Sequence, residues 1–202
     1  MKENIKWNFV KISMPYVMGQ LSEKMINHVI NKLLGNGFAA KLVMWNLGTA
    51  VIMLEEDKKS LVIEPQQITY SSKLEGTFEC STLQSELEFI LNVLLIDDKN
   101  QFLFNMEGIS ETQDSHTESR MLFEEKYMPL DKEVYGVGYR FLIRNERLFG
   151  EFKIEPLVAD KVGYYYQWIL NKSESVSIAE MLSDVFEEIE KNREACYSVL
   201  RR

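Results

Sequence analysis

The sequence predicts an α+β fold: a largely antiparallel sheet built from two repeated strand-hairpin-helix units, with the helices packed on one face. Three observations lead to it. The segment Leu61-Val62-Ile63-Glu64-Pro65 returns as Phe152-Lys153-Ile154-Glu155-Pro156, and the same offset of 91 superimposes the apolar segments before them. Short runs of period-two alternation are joined by polar turns, which suits hairpins with one buried face. Longer stretches of helical period follow the hairpins and begin at capping-box spacings. The expected organisation is a single domain over 1–202, made of two pseudo-repeats at about 1–106 and 134–202, with an acidic insertion at 107–133 between them.

Taken in order, Ile5 to Ile12 alternates through Ile5, Trp7 and Phe9 and reads as a strand closed by Pro15. A helix is expected from Met18 to Leu34, because Leu21, Met25, Val29 and Leu33 form an i, i+4 stripe and Gly35-Asn36-Gly37 supplies the stop. Ala40 to Trp45 reads as a strand. The first hairpin runs from Ala50-Val51-Ile52-Met53-Leu54 through a charged turn to Leu61-Val62-Ile63-Glu64, and Pro65, which has no N–H to give a ladder, ends it. A strand at Ile68 to Ser71 leads to a second helix that presents Leu83, Leu87, Ile90, Leu91 and Leu94, with Ser81 to Gln84 as its capping box. Gln101 to Met106 is a short strand.

In the second unit, Val137, Tyr139, Phe141 and Ile143 share one face of a strand, and Gly136, Gly138, Arg140 and Leu142 share the other. Leu148 to Glu155 is its hairpin partner. Val162 to Leu170 places Tyr164, Tyr166 and Trp168 on one side and Tyr165, Gln167 and Ile169 on the other. The last helix, Ile178 to about Leu200, is capped by Ser177 with Glu180, and Val176 and Met181 stand at hydrophobic-staple positions.

Composition narrows the functional classes. A net charge of −8 disfavours a nucleic-acid backbone as partner, since that affinity comes from lysine and arginine displacing counterions. No apolar run approaches the roughly 18 residues of a spanning helix, and the N-terminus lacks the apolar core of a signal peptide, so a cytoplasmic, non-membrane protein is expected. Cys80 and Cys196 lack metal or redox spacing and read as reduced. Acid concentrates in the insertion, where Glu107, Glu111, Asp114, Glu118, Glu124, Glu125, Asp131 and Glu133 face only Arg120, Lys126 and Lys132. Its Gly108 to Thr117 part reads as a polar, mobile loop. Met121-Leu122-Phe123 and Tyr127-Met128 are apolar enough to dock back on the fold or meet a partner, the alternative being a solvated surface loop.

Residues capable of chemistry are scattered. His28 and His116 have no second ligand at zinc spacing. Gly136-Val137-Gly138 begins like a dinucleotide fingerprint, but Phe141 stands where the third glycine belongs and a strand follows where a helix should. Neither a catalytic residue, a metal site nor a cofactor is assigned. Arg140 and Arg144 share one strand face, and Glu151, Lys153 and Glu155 share a face of the neighbouring strand, so cross-strand ion pairs between the arginines and the glutamates are geometrically available. The aromatic strand offers the best binding surface, because tyrosine and tryptophan give large rigid contacts at low entropic cost. The candidate binding residues are Tyr139, Arg140, Phe152, Tyr164, Tyr165, Tyr166 and Trp168.

The run Gly136-Val137-Gly138-Tyr139-Arg140-Phe141, followed by Ile154-Glu155-Pro156-Leu157, resembles a pattern in a sporadically distributed family of uncharacterised bacterial proteins. That family has no established reaction, so the resemblance implies a fold and a bacterial source. The acidic sheet-and-helix character is also similar to SecB-type export chaperones. The function expected is that of a non-enzymatic interaction protein binding a protein partner through an aromatic sheet surface. Alternatives are a small-molecule or peptide-binding, chaperone-like module with a groove lined by Tyr139, Phe152, Tyr166 and Trp168, and an enzyme whose site no pattern reveals. An unpaired edge strand would also permit a homodimer.

Overall fold

The computed structural model describes residues 5–17, 21–46, 48–76, 78–97, 99–121, 136–172 and 174–200, with side chains described up to residue 194. Along the chain lie β1 (Lys6–Pro15), α1 (Glu23–Gly35), β2 (Lys41–Asn46), β3 (Thr49–Glu55), β4 (Lys59–Ile63), β5 (Gln67–Gly76), α2 (Cys80–Leu94), β6 (Leu103–Glu111), α3 (Ser115–Met121), β7 (Tyr139–Arg144), β8 (Phe149–Pro156), β9 (Gly163–Asn171) and α4 (Ile178–Leu200). Among the described residues the strands form one nine-stranded antiparallel sheet in the order β2-β3-β4-β5-β1-β6-β9-β8-β7. The α+β class with a largely antiparallel sheet is therefore as the sequence predicts.

Strand alternation sends one set of side chains to a buried face. A single row crosses the sheet through Ile52, Leu61, Tyr70, Ile12, Phe104 and Leu170, each opposite the next and each buried. Burying a side chain of this size stabilises the fold by about 1.5–3 kcal/mol. The helices cover this face: Tyr70 reaches Glu86 of α2, Phe104 meets the Phe186 ring of α4 edge-on, and α1 contributes Ile26, Val29 and Leu33 to the same core. Among the described residues no helix packs on the opposite face. That face carries Lys11, Asn105, Gln167, Ile169, Lys153, Arg140 and Leu142.

Local signals explain the element ends. Ser22 caps α1 by accepting from the Met25 amide at 3.3 Å, so α1 begins at Glu23 and not at Met18, which lies outside the described residues. Helix α2 begins one residue before the expected capping box, at Cys80; Glu79 is its N-cap residue, with no side-chain cap bond. The Ser81 carbonyl is already inside the helix, accepting from the Ser85 hydroxyl. In α4 the expected cap forms: the Glu180 amide donates to Ser177 Oγ at 3.2 Å, and Val176 and Met181 are buried.

Two expectations change. The Gly108 to Thr117 stretch is not a loop: β6 runs to Glu111, paired with β9, and α3 follows with Asp114 Oδ1 capping the Thr117 amide. Its polar letters misled because Gly108 makes room for other side chains. A Cβ there would stand 2.5 Å from Ile5 Cγ2 and 3.0 Å from Trp7 Cε3. Leu122-Phe123 and Tyr127-Met128 lie outside the described residues. The hairpins also differ: Ile52 faces Leu61, whereas Phe141 faces Phe152, so matching Leu61 with Phe152 pairs Ile52 with Phe141 and shifts the ungapped alignment by two residues.

Candidate functional site

The aromatic residues singled out by the sequence divide between the two faces of the sheet. Phe152, Tyr164, Tyr166 and Trp168 are core side chains, Trp168 being 0% exposed. Phe152 stacks on Trp168 with centroids 4.5 Å apart, Trp168 lies 5.9 Å from Tyr166 and 5.5 Å from Trp7, and these rings fill the space in which a ligand groove was expected. The Tyr164 hydroxyl donates to the Ser115 carbonyl, and Ser110 Oγ donates to the Tyr166 hydroxyl. These four residues thus fix the sheet to α3 and to the N-terminal strand, and a docking partner could not reach them. Tyr139 is half-buried, donates to the Ser119 carbonyl at 3.3 Å and has its phenol pushed up by burial.

Tyr165 and Arg140 are on the opposite, helix-free face, as alternation requires. Arg140 pairs with Glu151 across the β7-β8 hairpin, and Lys153 pairs with the same carboxylate at 3.0 Å. Lys153 and Arg140 overcome desolvation and hold the Glu151 carboxyl below its ordinary range. Lys153 also donates to Gln167 Oε1, and Gln167 donates to Glu107 Oε1 at 3.2 Å. Burial, together with the Glu107 charge, pushes the Tyr165 phenol far up, so it remains a neutral donor. Asn105 gives its amide hydrogen to Glu107, which leaves its buried Oδ1 without a hydrogen-bond partner among the described residues. Three large apolar side chains, Leu103 of β6, Leu142 of β7 and Phe149 of β8, are exposed on this face.

Polar clusters on the helix side are mutually satisfied. In a cleft of about 240 Å³, Glu86 accepts from the Tyr70 hydroxyl and from Lys59 Nζ, both at 2.6 Å. Burial and the adjacent Glu86 carboxylate push the Tyr70 phenol well above its ordinary value. Desolvation lowers the Lys59 ammonium, but Glu86 and Glu55 outweigh it and raise it. At the other end, beside a cleft of about 300 Å³, Asp184 accepts from Lys172 at 2.5 Å and from Arg147 at 3.0 Å. Each cluster is an acid on a helix clamped by cations or a phenol from the sheet. Groups held this way in their charged or donating forms serve better as fasteners than as proton carriers.

A larger groove of about 890 Å³ lies at the start of β7, lined by His116, Gly136, Gly138, Tyr139, Arg140, Glu155, Pro156 and Val158. His116, foreseen as a loop residue, sits on α3 with Nε2 2.7 Å from the Leu157 carbonyl. The two glycines that open the family-like motif have a steric reason: a Cβ at Gly136 would stand 2.7 Å from Pro156 Cγ, and one at Gly138 would stand 2.9 Å from Glu155 Cγ. Among the described residues no three His, Cys, Asp or Glu side chains converge on a metal position, and no helix is long and apolar enough to cross a membrane. No family model matches the chain, and no curated protein shows significant similarity to it.

Proposed function

We propose that the protein is a protein-binding module, with a duplicated sheet as its platform. The observation that carries this reading is the sheet's one-sided cover among the described residues: nine strands wide, with helices on one face and exposed Leu103, Leu142 and Phe149 on the other. Exposed apolar side chains clustered among polar ones mark interaction surfaces more often than chance. The contact surface is then the Tyr165 and Arg140 side of β9 and β7, on the reverse of the buried aromatic stack.

Duplication is supported by topology. Reading outward from the β1-β6 junction gives β5, β4, β3 on one side and β9, β8, β7 on the other, with α2 and α4 each following the strand next to the junction. If Leu61 corresponds to Phe152, their partners Tyr70 and Trp168 correspond, then Ile12 and Met106, and the pseudo-twofold axis falls between the paired residues Lys11 and Asn105.

The test is binding by a surface variant. Leu103→Ser with Phe149→Ser, checked for an intact fold by circular dichroism, should lose the protein that the wild type captures from its host, once that protein is purified and titrated by calorimetry. Equal affinity of the two forms for the purified partner would defeat the reading.

A further inference from the structure

The free edge of β7 carries an inference that rests on the protein-binding reading and specifies it. We infer that β7 takes up an extended, acidic segment of a protein partner as a tenth strand of the sheet. Strand β7 is last in the order and, among the described strands, pairs with β8 alone, so between Arg140 and Arg144 alternate backbone N–H and C=O groups are free of any strand of the described residues. Such an edge is a template for strand addition. Its side chains are open on both faces: Leu142 is 83% exposed and Phe141 39%.

The other half of the sheet supplies the precedent. The strand placed there as β7 is placed here is β3, and its outer edge is covered by β2, with Leu42 opposite Ile52 and Trp45 opposite Ala50. Among the described residues, then, one half carries an outer strand beside β3 and the other shows none beside β7. An incoming strand beside β7 would extend over the groove at its start, where Pro156 and Val158 offer apolar contact.

Charge selects the occupant. Arg144 is exposed at the end of β7 and makes no ion pair among the described residues, and Arg140 is 63% exposed on the same face. Glutamate or aspartate directly opposite these arginines would gain cross-strand pairing. A second copy of the chain fits less well: an antiparallel register centred on Leu142, which brings the two exposed leucines together, sets Arg140 of one copy against Arg144 of the other. Like charges directly opposite destabilise a strand pair.

Hydrogen exchange on the full chain tests this with two synthetic peptides, one alternating valine with glutamate and the other valine with lysine. In the free protein the edge-facing amides of β7 should exchange fast. The glutamate peptide should slow them, the lysine peptide should not, and Arg144→Glu should weaken binding of the first by about two- to fivefold while improving the second. Edge amides already protected in the free protein, protection by neither peptide, or equal protection by both would overturn the inference. A purified partner bound through Leu103 and Phe149 with β7 left unprotected would also overturn it, while leaving the protein-binding reading intact.

Discussion

The ion pair between Lys172 and Asp184 offers the sharpest test of how the second half is held together. Lys172 is 7% exposed, and its ammonium contacts Asp184 at 2.5 Å and the more open Glu180 at 2.9 Å. Asp184→Asn removes the buried charge partner but keeps the volume, leaving Lys172 with Glu180 alone and Arg147 with Glu187 at 3.8 Å. Breaking a buried pair from one side costs about 3–5 kcal/mol, and the residual contact to Glu180 places the expected loss near the lower end. With a urea slope of about 1–3 kcal/mol per molar, the unfolding midpoint should fall by roughly 1–3 M, read by circular dichroism.

The pH dependence has a definite sign. Desolvation pushes the Asp184 carboxyl up, but Lys172 and Arg147 outweigh it and hold it below its ordinary range. Its contribution is therefore present above the unfolded carboxylate value of about 3.9 and is lost as pH falls through the lower folded value. Desolvation also lowers Lys172, but Asp184 and Glu180 outweigh it and raise it, so its contribution is present below about 10.4 and lost above the folded value. The gap between wild type and Asp184→Asn should be full near neutrality and close in strong acid. Lys172→Met with Asp184→Leu should recover most of the loss. A loss under about 1 kcal/mol at pH 7 would refute the reasoning.

Other outcomes follow from single contacts. Gly150→Ala places a Cβ 1.9 Å from the Ile169 carbonyl oxygen, so β8 and β9 must separate; thermal unfolding should show a loss of about 1–3 kcal/mol or more. Leu95 ends α2 in the left-handed region with φ 57° and is 86% exposed, so Leu95→Gly should stabilise by about 0.5–1 kcal/mol and raise Tm by a few degrees. Trp168→Ala should cost about 3–5 kcal/mol in chemical denaturation, while Tyr165→Ala on the helix-free face should leave a folded protein with a far smaller loss. Tyr70→Phe removes the hydroxyl that donates to Glu86 at 2.6 Å and should cost about 1.5–3 kcal/mol, as for a bond to a charged group.

Much of the fold was legible because sheet and helix periods differ. Alternation along Val162 to Leu170 assigned Tyr164, Tyr166 and Trp168 to one side and Tyr165 to the other, and the structure keeps that division. Cross-strand pairing of Arg140 with Glu151 was likewise available from the hairpin alone. The continuation of β6 through Gly108 was not legible, since its local letters are polar and small while its reason, the Ile5 and Trp7 side chains above it, lies a hundred residues away. Nor could the clamping of Glu86 by Lys59 and Tyr70 be read, because the three come from different elements.

By itself, then, the sequence determined most element types, with the end of β6 and α3 as the exceptions, the antiparallel class and which residues share a face, all of which depend on neighbours within a few positions. Tertiary structure alone decided which face is covered. The same aromatic strand could have offered Tyr164, Tyr166 and Trp168 to a partner, but α3 and the Ile5-Trp7 segment close over them, and what stays open is the side of Tyr165, Arg140 and Leu142. Periodicity fixes which side chains point together. It carries no information on which side the helices return to, because that depends on contacts between segments far apart in the chain.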